Sequence, residues 1–245
     1  MAKQPILLLL LAAVLLWAPD LSAQQDKRKR GDSRKHGRAV TRTYDTGDFT
    51  QLDISGAWKV VLRQGNRHHV EIKTHSDLHD LVQADVRQGV LHIRFSRSVK
   101  HADVRIAYIT VPELEGIRVH GASEVEIESN LRASELRLSA HGAARITGDL
   151  DAEVLICDLS GASQIILTGR SDNLALELSG ASRFKGDDFK AKTGIIDASG
   201  ASSARVHLTR ELRAEASGAS SISCTGKPGK TRIEKHGASS VSVSR

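Results

Sequence analysis

From Ile117 onward, short runs of alternating apolar and polar residues are broken by the same tripeptide each time. Gly-Ala-Ser begins at Gly121, Gly161, Gly180, Gly200, Gly218 and Gly237, and a Gly-Ala-Ala copy begins at Gly142. Successive glycines lie 21, 19, 19, 20, 18 and 19 residues apart. A fixed period of this length is the signature of one small unit stacked repeatedly on itself.

Aligned on the glycine, the repeats form columns of common character. Four residues before it stand Ile117, Leu138, Cys157, Leu176, Ile196, Ala214 and Ile233; two before it stand Val119, Ala140, Leu159, Leu178, Ala198, Ala216 and Lys235. Four after it come Val125, Ile146, Ile165, Phe184, Ala204, Ile222 and Val241. These columns must face a core, because alternate residues of a strand point to opposite sides. The column between the first two carries Arg118 and Ser139, then turns acidic at Asp158, Glu177, Asp197, Glu215 and Glu234, and so faces water.

Each coil therefore reads as two short strands hinged at the tripeptide. A second turn is expected near Thr168-Gly169, Lys185-Gly186 and Thr225-Gly226. The glycine is expected to supply a conformation or a close approach that a Cβ would obstruct. The alanine is expected inside the corner, with the serine bonding backbone groups freed at the bend. The architecture is all-β: a right-handed parallel β-helix of about 19-residue coils over residues 116–245. Its worn last rung, with Lys235 in an apolar column, predicts end-to-end association into a homo-oligomer.

Residues 43–115 alternate with a different spacing and predict an irregular, β-rich N-terminal cap. Strands are expected at 49–54, 58–62, 70–73, 82–86, 90–95 and 104–109, with a hairpin at Gln88-Gly89. Residues 76–81 predict one helical turn capped by Ser76 or Asp77. Ser55-Gly56-Ala57 resembles the later tripeptide, which suggests that the solenoid starts here.

The ends change the picture. Residues 1–23 read as a signal peptide: Lys3, an apolar run from Ile6 to Trp17, and a small-residue site at Ala23. That run is too short to span a bilayer, which takes about 20 residues. Residues 24–42 hold eight basic residues against Asp26 and Asp32, and so account for the whole formal charge of +6. This basic arm is expected to be disordered. It reads either as a solubilising linker or as a contact to an anionic envelope glycan or lipid surface; export and a lack of aromatic residues in the arm speak against nucleic acid. Cys157 and Cys224 sit on rungs too far apart for a disulfide and should be buried thiols.

Phe49-x-x-Leu52-x-Ile54-Ser55-Gly56, Val60-x-Leu62-x-Gln64-Gly65, Val90-Leu91-His92-Ile93 and Ile109-Thr110-Val111-Pro112-Glu113-Leu114, followed by serial Ser-Gly-Ala-Ser, resemble the bacterial family named putative auto-transporter adhesin, head GIN domain. The resemblance spans roughly residues 45–245. It implies a secreted or cell-envelope β-helical protein, and it carries no catalytic or ligand-binding residues to transfer. His120, His141 and His236 depart from the pattern by replacing the serine before the glycine.

No catalytic, cofactor or metal residue is therefore assigned; the singled-out positions are the corner glycines Gly121, Gly142, Gly161, Gly180, Gly200, Gly218 and Gly237. His120 and His141 should be neighbours on adjacent rungs, and the acidic column reads as a solvated face partly compensated by Arg137, Arg213 and Arg232. Polysaccharide lyases and hydrolases also use β-helices, but need paired carboxylates or a calcium cluster on long loops. The turns here are short and aromatic residues are only 3% of the chain. The expectation is an exported, non-enzymatic envelope scaffold presenting side-chain ladders. The alternatives are a carbohydrate-active enzyme or a self-associating structural protein, and a concave site gathering carboxylates with an Arg or His would favour the enzyme.

Overall fold

The computed structural model describes residues 36–99 and 102–244. The predicted signal peptide and the basic arm up to residue 35 lie outside them. Among the described residues no helix is long and apolar enough to cross a membrane.

The repeats wind into a parallel β-solenoid. Strands β9 (Glu124–Gly142), β10 (Arg145–Gly161), β11 (Gln164–Leu178), β12 (Arg183–Ala198) and β13 (Ser203–Ala216) each make most of one coil. Neighbouring coils pair in parallel with equivalent residues opposite one another: Ile146 on Ile165, Ile165 on Phe184, Phe184 on Ala204. The last coil is split into β14 (Ser221–Thr225), β15 (Lys230–Lys235) and β16 (Ser240–Val243). The ladder does not stop at the second bend, as a five-residue strand would. It runs on through Leu150–Ala152, which pair with Leu131–Ala133 on one side and Gly169–Ser171 on the other.

Up to the last coil the three apolar columns are buried as their alternation requires, and two more join them; on the last coil Ile233 and Lys235 are exposed and Val241 is half-buried. Leu136, Leu155, Leu174 and Leu212 form an inner column six residues before the glycine, and Leu131, Leu150, Phe189 and Leu208 line the second bend. Cys157 and Cys224 are free buried thiols. Burial raises both thiols above the usual cysteine value, Cys157 far above it.

The alanine of the tripeptide is not the interior residue. Ala122, Ala162, Ala181 and Ala201 are exposed, and Ser123, Ser163, Ser182, Ser202 and Ser220 are buried. Parity explains the correction: the serine lies two residues after the glycine, in phase with the apolar positions on both sides, and the alanine is out of phase.

The N-terminal region starts the same solenoid, but out of chain order. Strand β2 (Gln51–Ser55) pairs in parallel with β8 (Gly116–Gly121), and β3 (Lys59–Gln64) with the start of β9. Gly56 thereby joins the corner column below Gly121. Outside this rung lies a second one, made by β6 (Val90–Phe95) on β2 and β7 (Arg105–Val111) on β3. The chain must then cross back over the β2–β3 rung, through Pro112–Glu115, to begin β8. Arg105 ties the two rungs by donating to the carbonyls of Gly56 (2.8 Å) and Val99 (2.9 Å).

Antiparallel strands close this end. β5 (Val82–Arg87) folds back on β6 through Gln88-Gly89, both at positive φ as a tight hairpin requires. On the other side β4 (His69–His75) pairs with β7, and β1 (Ala39–Tyr44) with β4. The basic arm was expected to stay unstructured through Arg42. Instead Ala39–Arg42 are strand, because the backbone of β4 offers six successive residues to pair with. The expected helical turn is a short 3-10 helix, His79–Leu81, without a side-chain cap. Asp77 instead accepts from the Gly37 amide and from His36.

Candidate functional site

The corner glycines form the most regular feature of the molecule. Gly121, Gly142, Gly161, Gly180, Gly200, Gly218 and Gly237 all have φ between +70° and +82°, a region that residues with a Cβ seldom occupy. The amides of Ala143, Ala162, Ala181, Ala201 and Ala219 donate to the glycine carbonyl of the preceding rung, at 2.8 Å for Ala143 and 2.7 Å for the rest. The backbones are so close that a Cβ on Gly161, Gly180, Gly200 or Gly218 would lie 2.7–2.8 Å from that carbonyl oxygen. Inside the corner, Ser220 Oγ donates to Ala198 O (3.0 Å) and Ser239 Oγ to Ala216 O (2.9 Å). These residues build the scaffold; Ser163 and Ser202 Oγ, buried without a hydrogen-bond partner, are closed off from solvent.

The outer face of the sheet preceding the corner is where chemistry is displayed. Between β10 and β12 it carries three in-register rows: hydroxyls Ser160, Ser179 and Ser199; carboxylates Asp158, Glu177 and Asp197; and aliphatics Ile156, Ala175 and Ile195. Ile195 is 53% exposed. The acidic row continues through Glu215 and Glu234. The expected compensation by flanking arginines is only partial, since Arg137 pairs with Glu135 and Arg232 with Glu234. Glu177, Asp197 and Glu215 make no ion pair or side-chain hydrogen bond among the described residues. Rungs of a sheet are about 4.8 Å apart, so the row is a ladder of like charges held together by the backbone rather than by its side chains.

Toward the N-terminal end the same face changes character. His120 and His141 stack with ring centroids 5.3 Å apart, on adjacent rungs as their spacing predicts. His141 Nδ1 lies 2.7 Å from Ser160 Oγ. Around Asp53 gather Arg118 Nη1 (3.7 Å), His120 Nε2 (3.8 Å) and His92 Nδ1 (3.6 Å). Sequence reasoning missed this group because His92 and Asp53 arrive from outside the regular repeat. A signal for Asp53 was present: it stands three residues before Gly56, in the column of Asp158 and Glu177. His236 takes the corresponding place on the final rung, far along the stack. Among the described residues no group of three or more His, Cys, Asp or Glu is arranged to hold a metal ion.

A concave site lies where the chain crosses back to β8. The cavity measures about 730 Å³ and gathers Glu113, Glu115 and Glu135 with Arg118, Arg132 and Arg137. Gln64 shapes its floor, donating from Nε2 to the carbonyls of Pro112 and Arg132 (both 3.0 Å) and accepting from the Arg132 amide (2.9 Å). Glu115 accepts from Thr50 Oγ1 at 3.1 Å.

The family model described as "Putative auto-transporter adhesin, head GIN domain" matches residues 48–228. Among solved structures the chain is similar to a putative adhesin from Bacteroides fragilis NCTC 9343, with 21% identity, a TM-score of 0.80, and coverage of 84% of this chain and 97% of that one. It is similar to a putative adhesin from Parabacteroides merdae ATCC 43184 (19% identity, TM-score 0.70, 85% and 97% covered). It is also similar to a protein from Parabacteroides distasonis ATCC 8503 described as a putative lipid binding protein (17% identity, TM-score 0.69, 85% and 98% covered). At these identities the likeness establishes the fold. No curated protein matches the chain.

Proposed function

Because the chain belongs to the family described as putative auto-transporter adhesin, head GIN domain, we propose that it acts as an exported, non-enzymatic adhesion scaffold of the bacterial envelope. The observation that carries this reading is the outer face of β10–β12. It is a grid of hydroxyl, carboxylate and aliphatic rows in which Glu177 and Asp197 are left without partners among the described residues, while Asp158 faces His141 Nε2 at 3.7 Å. A face of this kind binds by many equal, weak contacts along one axis, which suits attachment to a repetitive surface. The basic segment before residue 36 supplies a second contact, to anionic lipid or glycan.

The test compares labelled full chain, an Ile195→Lys/Asp197→Lys variant and a chain lacking residues 24–35. Probes are a panel of envelope glycans and lipopolysaccharides, and vesicles with and without anionic lipid. Loss of glycan or lipopolysaccharide binding in the face variant, and of anionic-vesicle binding in the truncated chain, is the expected result. Equal binding by all three chains overturns the reading.

One observation favours a second reading, a carbohydrate-active enzyme. The crossover cavity gathers three carboxylates with arginines, the arrangement that the sequence alone did not predict. Release of reducing ends from a polysaccharide panel by the full chain, abolished in Glu113→Gln or Glu135→Gln, would establish it in place of the scaffold.

A further inference from the structure

Strand β1 is an edge strand with no buried residue, and three histidines fasten it. His79, buried after β4, donates from Nε2 to Val40 O (3.0 Å), and its Nδ1 lies 3.0 Å from the Tyr44 hydroxyl. His36, just before the strand, binds Asp77 Oδ2 at 2.9 Å. His75, at the end of β4, is placed differently from both. Its Nδ1 lies 2.6 Å from Gly37 O, on the lead-in to β1, and its Nε2 lies 2.5 Å from Asp103 Oδ1, on the segment leading into β7.

A carbonyl oxygen and a carboxylate oxygen only accept hydrogen bonds. Both ring nitrogens of His75 must therefore donate, and only the imidazolium has two N–H groups. A neutral ring keeps one bond and turns a lone pair toward the other oxygen. We propose that His75 is a pH-operated clasp: protonated, it ties the lead-in of β1 to β4 and to the segment before β7, and deprotonated, it lets β1 lift away.

The charged and titratable groups around the ring are few. Asp103 faces it from the segment before β7. From the lead-in of β1, the His36 ring lies tilted against it with ring centroids 5.2 Å apart, and Asp77 binds His36 in turn. The Gly37 carbonyl and Asp103 hold the His75 proton more tightly than usual, against opposition from desolvation and from His36. The sign follows. The contribution of the clasp is complete below the ordinary histidine value of about 6.5 and is lost as pH rises through the raised value in the folded protein. Release of β1 bares the outer edge of β4 from Val70 to His75, a row of unpaired backbone groups that a strand from another chain can pair with.

The experiment is amide hydrogen exchange on the full chain between pH 5.5 and 9. Exchange is corrected for its intrinsic pH dependence, and β10 amides serve as the internal reference. Protection of Val40–Tyr44 relative to β10 is expected to fall, by up to about tenfold per pH unit, as pH rises from about 6.5 to the raised value of the folded ring, and to level off above it, because one proton links the two states only between those values. In His75→Gln, which has no titrating ring there, protection is expected to be low and flat across the range. In Asp103→Asn, which removes the carboxylate, the fall should move to lower pH. A pH-independent ratio in the natural chain, or a natural pH profile in His75→Gln, overturns the proposal. Should His75→Gln fail to fold, an unmoved transition in Asp103→Asn overturns it as well.

Discussion

Gly161 lies so close beneath Gly142 that a Cβ on Gly161 would come within 2.7 Å of the Gly142 carbonyl oxygen, and its φ of +75° is one that side chains resist. The two demands separate experimentally. Gly89 has the same φ but nothing within 4 Å of its missing Cβ. Gly89→Ala should cost about 1–2 kcal/mol, the conformational penalty alone. Gly161→Ala should cost more, because backbone rather than a flexible side chain must move. Urea denaturation of both variants measures the gap, and equal midpoints would show that the close approach is absent.

The buried corner serines are not equivalent. Ser220 Oγ donates to Ala198 O, whereas Ser202 Oγ is buried with no partner. Losing a made hydrogen bond costs about 0.5–1.5 kcal/mol, and removing an unsatisfied buried hydroxyl removes a penalty. Ser220→Ala should therefore lower the thermal midpoint and Ser202→Ala should leave it unchanged or raise it. Ala144, buried at the same position of the degenerate repeat, already shows that the corner accepts a methyl group there.

Both cysteines should be silent toward thiol reagents in the folded protein. Their burial disfavours the thiolate that reacts. Labelling with a chromogenic disulfide is expected to be slow for both and to become fast only in denaturant. Reducing agent should not change the denaturation midpoint, since neither thiol is bonded.

Acid should loosen the same end of the molecule that alkali releases. Asp77 is held below the ordinary carboxylate range chiefly by the hydrogen bond from His36, and Asp103 chiefly by that from His75. Groups shifted downward contribute stability that is present above the unfolded value of about 3.9 and lost as pH falls through the lowered one. Exchange protection of β1 should thus fall below about pH 4. Asp77→Asn should weaken that acid dependence, while leaving protection in β10 unaltered.

The solenoid was legible in the sequence because each of its columns is set by residue type at a fixed distance from a glycine. The stack of Ile146, Ile165 and Phe184 follows from counting. So did the position of the serine, had parity been carried across the bend: Ser163 keeps the phase of Leu159 and Ile165. The crossover was not legible in this way. The amide of Trp58 reaches Ser123 across 65 residues, and no periodicity spans that interval. The same holds for the concave site, whose arginines and glutamates come from β8, β9 and the crossover segment, and for His75, whose partners lie 28 and 38 residues away. Local pattern specifies a repeating ladder, whereas these groups depend on where an irregular excursion rejoins it.

The rung formed by β2 and β3 is sandwiched between one that follows it in the chain and another that follows it later still. A growing polypeptide cannot lay this rung down first and build upward. Gln51–Ser55 meets its first partner only when residue 93 has been made and its second only at residue 120, and a segment of about 50 residues has to close outside it. The regular coils beyond need no such delay, because each new turn docks on the one just finished. Assembly of this chain should accordingly begin in its middle, with the part synthesised earliest among the last to find its seat.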